Sequence, residues 1–318
     1  MKRVLTAVWV ILGLALGQGR ELPKVSMVLN WFPQPSQGGF YAALADGLYK
    51  QKGIDLTIQP GGPGIPSIPL LAAGRVQFAM TDAAAVMFAR DQGIPVVAIF
   101  APFQTNPQGF MFHMEHPVSR FEDLAGRTVA VSPGAAYWRF IEKKYNLSGK
   151  VQVVNYNGQL ADWLRDKRRV TQCFVISEPF MARKQGANPG TLLIADSGFN
   201  PYMNLIVTTE QFLRDNPAVV KAFVEASQLG WYRYMGNPRR YIPVIQEVNP
   251  DQTAEWIMWQ AEQQKPLVQR GDAVQNGIGY MNPERWKTLY EQLKDLGLLK
   301  NEIDLSKIFT NQFVPKPR

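Results

Sequence analysis

Four polar or glycine-rich stretches of this chain have the make-up of ligand-binding loops: Asn30 to Gly39, Gly61 to Ser67, Thr81-Asp82 and Ser132 to Ala136. Each follows an apolar, strand-like run and precedes a helical one. The unpaired N–H groups of a helix start then face outward and can bond acceptor atoms or anions. Within these stretches Asn30, Gln37, Gly64, Ile65, Pro66, Thr81, Asp82, Ser132, Gly134 and Ala135 are candidate contacts. Glycine and proline before a helix are more often a plain turn, so the weight lies in four such junctions in one chain. Trp31, Tyr41, Tyr137, Trp138 and Tyr202 offer flat faces for an aromatic ligand. Core packing is the better explanation for any one of these rings alone, except Trp31, which stands in a polar loop. Glu178, between an apolar run and Pro179, is either an acceptor for ligand amino groups or an ordinary helix cap.

Other chemistries lack their residues. Two histidines, His113 and His116, with no cysteine or aspartate cluster beside them do not make a zinc site. There is no G-x-S-x-G elbow. Gly61 to Ser67 lacks the lysine of a phosphate-binding P-loop. Cys173, the single cysteine, sits in the apolar run Thr171 to Ile176 and reads as a small core residue.

At the start of the chain, Lys2 and Arg3 precede the apolar run Val4 to Leu16, and Ala15-Leu16-Gly17 provides small residues for cleavage. The run is shorter than the ~20 residues of a spanning helix, so residues 1–19 are expected to be a cleaved secretory signal. With no cysteine after it, a lipid anchor is not expected, and the mature protein is placed in the periplasm. The formal net charge is +8, and losing Lys2 and Arg3 with the leader leaves about +6. Its densest cluster, Arg165 to Arg169, is broken by Asp166 and reads as a solvated helix end. No nucleic-acid partner is expected.

The elements that position the loops alternate. Strands are expected at Val25–Leu29, Ile54–Ile58, Val76–Met80 and Ile94–Phe100, with helices between them. The helix after Ser36 carries Phe40, Ala43, Leu44, Gly47 and Leu48 at helical spacing. A second unit begins near Val118, with strands at Thr128–Val131, Val151–Val154, Cys173–Ile176, Leu192–Ile194 and Leu205–Val207. Three helices follow, from Ala218, Thr253 and Pro283. With no sheet of their own, they are expected to pack back on the first unit. The fold class is therefore α/β, two lobes, each a mostly parallel sheet flanked by helices, with a cleft between them. The expected divisions are 20–112 for the first part of lobe 1, 113–204 for lobe 2 and 205–318 for the completion of lobe 1.

Leu29-Asn30-Trp31-Phe32-Pro33-Gln34-Pro35, then Gly39-Phe40-Tyr41-Ala42-Ala43 and Gly53-Ile54-Asp55-Leu56, resemble the thiamine-precursor-binding family. That family belongs to the solute receptors of ABC transporters, which include alkanesulfonate, taurine and nitrate binders. The similarity continues through Ala73 to Val76, Phe121 to Val131 and Ser177-Glu178-Pro179, over essentially the whole mature chain. The resemblance implies a type II periplasmic-binding-protein fold and delivery of a ligand to a permease and ATPase complex by a monomer. It further implies aromatic walls from Trp31 and Tyr41, and ring-reading groups in Asn30 and Glu178. Fungal enzymes of the same family consume their own histidine and a lysine-bound pyridoxal phosphate. Here Gln37 and Thr81 stand at those places, and Asn200 to Leu205 replaces the cysteine-rich motif. An amide cannot be the donated imidazole, nor a hydroxyl form the Schiff base. The expectation is a binder without cofactor, not an enzyme, taking a thiamine pyrimidine precursor or similar heterocycle. The alternatives are an anion (sulfonate, nitrate, bicarbonate), a riboflavin-like vitamin, or a pyrimidine synthase.

Overall fold

The computed structural model describes residues 21–62 and 64–317, so the expected leader lies outside the described residues. Among the described residues ten strands form two five-stranded sheets. They are β1 Lys24–Val28, β2 Asp55–Gln59, β3 Phe78–Thr81, β4 Val96–Phe100, β5 Gln108–His113, β6 Thr128–Val131, β7 Gln152–Asn155, β8 Val170–Phe174, β9 Pro189–Leu193 and β10 Leu205–Thr209. The first sheet has the order β2-β1-β3-β10-β4 and the second β7-β6-β8-β5-β9. In each, one strand is reversed, and it holds the same place in the order. β10 is antiparallel to β3 and β4, and β5 is antiparallel to β8 and β9. The reversed strand is the one reached directly after the chain crosses between lobes.

Two strand assignments from sequence change. Gln108–His113, where no strand is expected from sequence, pair in the second sheet as β5. A short apolar run carries no mark of its direction or of its neighbours. β8 begins at Val170, three residues before the expected Cys173. Its start was masked by the adjoining basic run, and Val175-Ile176 instead leads to the helix Glu178–Lys184.

The strand β4 is Val-Val-Ala-Ile-Phe with every residue buried, as suits a strand covered on both faces. Its outer edge is closed by the end of the chain: Ala98 N–H donates to Ile308 O at 2.8 Å, and Thr310 N–H donates to Ala98 O at 2.9 Å. The C-terminal helix Pro217–Gly236 packs against the first sheet's helices and strands. Val220, Phe223, Trp231 and Tyr234 of the helix Pro217–Gly236 share one core with Phe40, Tyr49 and Phe78. Phe223 stacks on Phe78 with centroids 4.0 Å apart. This helix crosses the helix Gly38–Ala45 at two glycines. A methyl group on Gly39 would enter the Trp231 ring, and one on Gly230 would strike the Gly39 carbonyl.

The lobes meet in two further places. At the crossings, Asn106 N–H donates to Asn200 Oδ1 at 2.9 Å. Arg285, from the helix Pro283–Asp295, donates to Gln104 O (2.6 Å) on one crossing. It also donates to Asn200 O (2.5 Å) and Oδ1 (2.9 Å) on the other. Across the opening, Phe180 lies 5.9 Å from the Trp256 ring and 5.4 Å from Trp259. Lys184 pairs with Glu255 at 2.5 Å there.

Candidate functional site

A cavity of about 600 Å³ opens between the lobes. From the first lobe come Asn30, Trp31, Phe32 and Gln34, after β1, and Gly64. From the second come Ser132 and Pro133 after β6, Tyr156 to Gln159 after β7, and Gln172 to Phe174 with Ser177 and Glu178 after β8. Gln108 and Asn204 come from the starts of the two reversed strands' paths. The polar lining is thus drawn largely from strand ends, where an open α/β sheet leaves room.

Trp31 and Phe32 form the aromatic rim. Their rings meet edge to face at 5.6 Å, and they keep 38% and 50% of their surface open, so neither is spent on core packing. Asn30 Oδ1 and Asn204 Nδ2 are buried without a protein partner. A buried unpaired group costs about 1–3 kcal/mol, so both are primed for a ligand's polar atoms.

Glu178 is held by both oxygens. Tyr156 donates its hydroxyl to Oε1 at 3.0 Å, and Phe174 N–H donates to Oε2 at 2.8 Å. Burial pushes its carboxyl above the ordinary carboxylate range, against those bonds. It also pushes the Tyr156 phenol up, with the Glu178 charge adding to the effect. The ionised Glu178 therefore destabilises the fold at neutral pH, and that cost fades as pH falls through its raised pKa. Glu178→Gln retains both contacts, with Oε1 accepting from Phe174 and Nε2 donating to Tyr156. It is expected to melt about 2–4 °C above wild type at pH 8, corresponding to roughly 1 kcal/mol. The gap should close toward pH 4.5. Equal melting points at both pH values would contradict it.

Among the described residues lining the cavity there is no lysine, arginine or histidine. The helix-start donors are also partly used within the protein. Ser132 N–H donates to Gln172 Oε1 at 2.6 Å, and Asp82 caps its own helix by accepting from Ala85 N–H at 2.9 Å. Cys173 reaches the lining but is 2% exposed, and burial raises its thiol well above the ordinary value. Among the described residues no three histidine, cysteine, aspartate or glutamate side chains gather as a metal site.

Of the residues singled out by sequence, Asn30, Trp31, Gly64, Ser132 and Glu178 come together here. The others do not line the cavity. Tyr41 is 2% exposed in the first-lobe core because its helix turns that face inward. Tyr202 is sealed beneath Arg285, whose guanidinium lies 3.8 Å from its ring centre, and its hydroxyl accepts from Asn282 N–H at 2.7 Å. Gln37 is fully buried; its Oε1 accepts from Gln34 N–H at 2.8 Å, tying the loop to itself. Thr81 is buried at the end of β3, paired with Leu205. Asp82 is the helix cap. Ile65 and Pro66 are exposed outside the cavity. Gly134 makes a left-handed turn at φ 71°, and Ala135 leads into the helix Ala136–Lys144. Tyr137 is 6% exposed and donates its hydroxyl to Gln172 Oε1 behind the cavity wall.

Sequence reading missed Phe32, Gln34, Gln108, Tyr156 to Gln159, Gln172 and Asn204. Tyr156-Asn157-Gly158-Gln159 carried a usable signal: it is a fifth strand-to-helix junction of the same kind. Gln172 carried none, since the misplaced start of β8 hid which residues alternate toward the cavity.

A riboflavin-binding protein from Chloroflexus aurantiacus is 28% identical over 311 residues, covering 92% of this chain and 87% of that protein. A formylaminopyrimidine-binding protein from Halalkalibacterium halodurans is 22% identical, covering 86% and 85%. Among solved structures, the periplasmic aliphatic sulphonate binding protein SsuA from Escherichia coli superposes with a TM-score of 0.70 at 12% identity, covering 94% of this chain and 96% of that one. The two-lobed periplasmic-binding-protein fold is thereby shared. The sequence profile of the family described as NMT1/THI5 like matches residues 34–241, more than half of the sequence, and the chain belongs to that family.

Proposed function

We propose that this protein is the solute-binding component of an ABC importer and closes its lobes on a neutral aromatic heterocycle. The ligand class runs from a thiamine pyrimidine precursor to a riboflavin-like vitamin. The observation that carries this reading is the cavity lining: an exposed Trp31–Phe32 rim above amide side chains and a single carboxyl, with no basic residue among the described lining. A sulfonate or nitrate would meet Glu178 and find no cation, so the anion alternative loses the support that net charge suggested. At about 600 Å³ the cavity has more room than one six-membered ring fills, which favours the larger, multi-ring end of the class. The names of the riboflavin-binding and formylaminopyrimidine-binding relatives support a ring ligand, and the former its larger end.

An enzyme of pyrimidine synthesis is not favoured. Gln37 and Thr81, at the places of the family's reactive histidine and lysine, are both buried and away from the cavity. We further propose a first lobe made of residues 21–100 and 205–317 and a second made of 108–193, a monomer acting in the periplasm. No described helix is long and apolar enough to cross a membrane.

Titration calorimetry with riboflavin and 4-amino-5-hydroxymethyl-2-methylpyrimidine tests the reading. Micromolar or tighter binding of at least one is expected, weakened about 10–100-fold in Trp31→Ala through loss of the stacking face and its buried area. No binding below millimolar concentration, or an unchanged Kd in the variant, overturns it.

A further inference from the structure

We infer that Gln172 is a specificity-determining residue: a donor of fixed orientation in the cavity wall that selects, at the ligand position facing it, a carbonyl oxygen over an amino group. This rests on the ring-ligand reading above and narrows it. Asparagine and glutamine side chains can ordinarily turn over and exchange donor for acceptor. Gln172 cannot do so freely. Its Oε1 lies 2.6 Å from the backbone N–H of Ser132. A backbone N–H only donates, so the atom facing it must be the oxygen. The Tyr137 hydroxyl reaches the same oxygen and is therefore also a donor. With Oε1 held by two protein donors, the Nε2 group and its hydrogens are left for the cavity that Gln172 lines.

The surroundings hold the arrangement in place. Gln172 is on β8, paired to Phe110 of β5, so its backbone is fixed in the middle of the second sheet. The side chain is 9% exposed. Tyr137 is wedged against Phe110, with centroids 6.2 Å apart, and its phenol is pushed up by burial, so it keeps its proton and remains a donor. Turning the amide over would face Nε2 hydrogens against the Ser132 N–H. That loses one buried hydrogen bond and strands two donors. Tyr137 and Ser132, both singled out from sequence as ligand contacts, thus act here as positioning residues for Gln172.

Gln172→Glu reverses the polarity seen by the ligand while retaining an acceptor for Ser132 and Tyr137. Binding is to be measured by calorimetry with riboflavin and with the matched pair 4-amino-2-methylpyrimidine and 2-methylpyrimidin-4-one. For the tightest-binding member the variant is expected to lose about 100-fold or more in affinity. Between the matched pair, the ranking should shift toward the amino compound by at least tenfold. A generally loosened site lowers both affinities without changing their order, and that outcome overturns the assignment. Gln172→Ala serves if the glutamate variant does not fold: a loss of about 30-fold is expected for riboflavin, or for the tighter member of the pair if riboflavin does not bind. A loss under threefold overturns the assignment. If wild type binds none of the three, the ring-ligand reading fails and this inference with it; if wild type binds and the variants match it, only this inference fails.

Discussion

Gly230→Val is expected to destabilise the protein by about 3 kcal/mol, at the top of the usual range for overpacking a core. At this position the helices Gly38–Ala45 and Pro217–Gly236 touch backbone to backbone. An added Cβ meets the Gly39 carbonyl and lies 2.5 Å from the Ala43 Cβ, neither of which can rotate aside. To admit a side chain the helices must separate, and the core shared by Phe40, Phe223 and Trp231 opens with them. Gly236, in the same helix, supplies the contrast. A Cβ there has nothing within 4 Å, so Gly236→Ala should stabilise by about 0.5 kcal/mol through helix propensity alone. Urea denaturation of the two variants measures both. Equal midpoints would show that the contact between the two helix backbones contributes nothing.

Arg285→Met is expected to cost about 3 kcal/mol. The guanidinium is buried against the Tyr202 ring, and burial brings its pKa down to about 10. Its partners are oxygens of Gln104 and Asn200, which belong to different crossings between the lobes. Methionine fills much of the space but leaves the Gln104 and Asn200 carbonyl oxygens unpaired, while Asn200 Oδ1 keeps the Asn106 N–H. Relief from burying a charge offsets part of that loss. Because one planar group spans both crossings, ligand affinity should also fall, by about tenfold. Arg285→Lys should not restore either property, since a point charge on a flexible stem cannot serve three oxygens in a fork. Thermal melting and ligand calorimetry on the two variants provide the check. A melting point within 1 °C of wild type for Arg285→Met would refute the bracing role.

The alternation of strand and helix was legible because apolar periodicity and turn residues are local. The two α/β sheets flanked by helices followed from it. Strand direction was not legible. β5 and β10 look like any other apolar run, and only pairing across the sheet shows that they are reversed. Of the residues proposed from sequence at strand ends, Asn30, Trp31, Ser132 and Glu178 line the cavity. Three tyrosine candidates lie away from the cavity for one reason. Tyr41, Tyr137 and Tyr202 fall on inward faces of their elements, and a tyrosine's polar end can be satisfied inside a protein as well as by a ligand. Gln172 and Asn204 were missed because their role depends on neighbours remote in sequence.

The position of β10 bears on how the chain comes to be made. β4 has five buried apolar residues, yet in the first sheet its ladder partner is β10. Its other edge bonds to Ile308 and Thr310. Both partners are synthesised long after it, one beyond the whole second sheet and the other almost at the C-terminus. During synthesis the second sheet, contiguous from Gln108 to Leu193, can complete itself while the first cannot. A ribosome paused before Leu205 therefore carries an apolar strand with two open edges, a target for chaperones and for aggregation. β1, β2 and β3 can pair with one another before then, but β4 joins the first sheet only once β10 has been made.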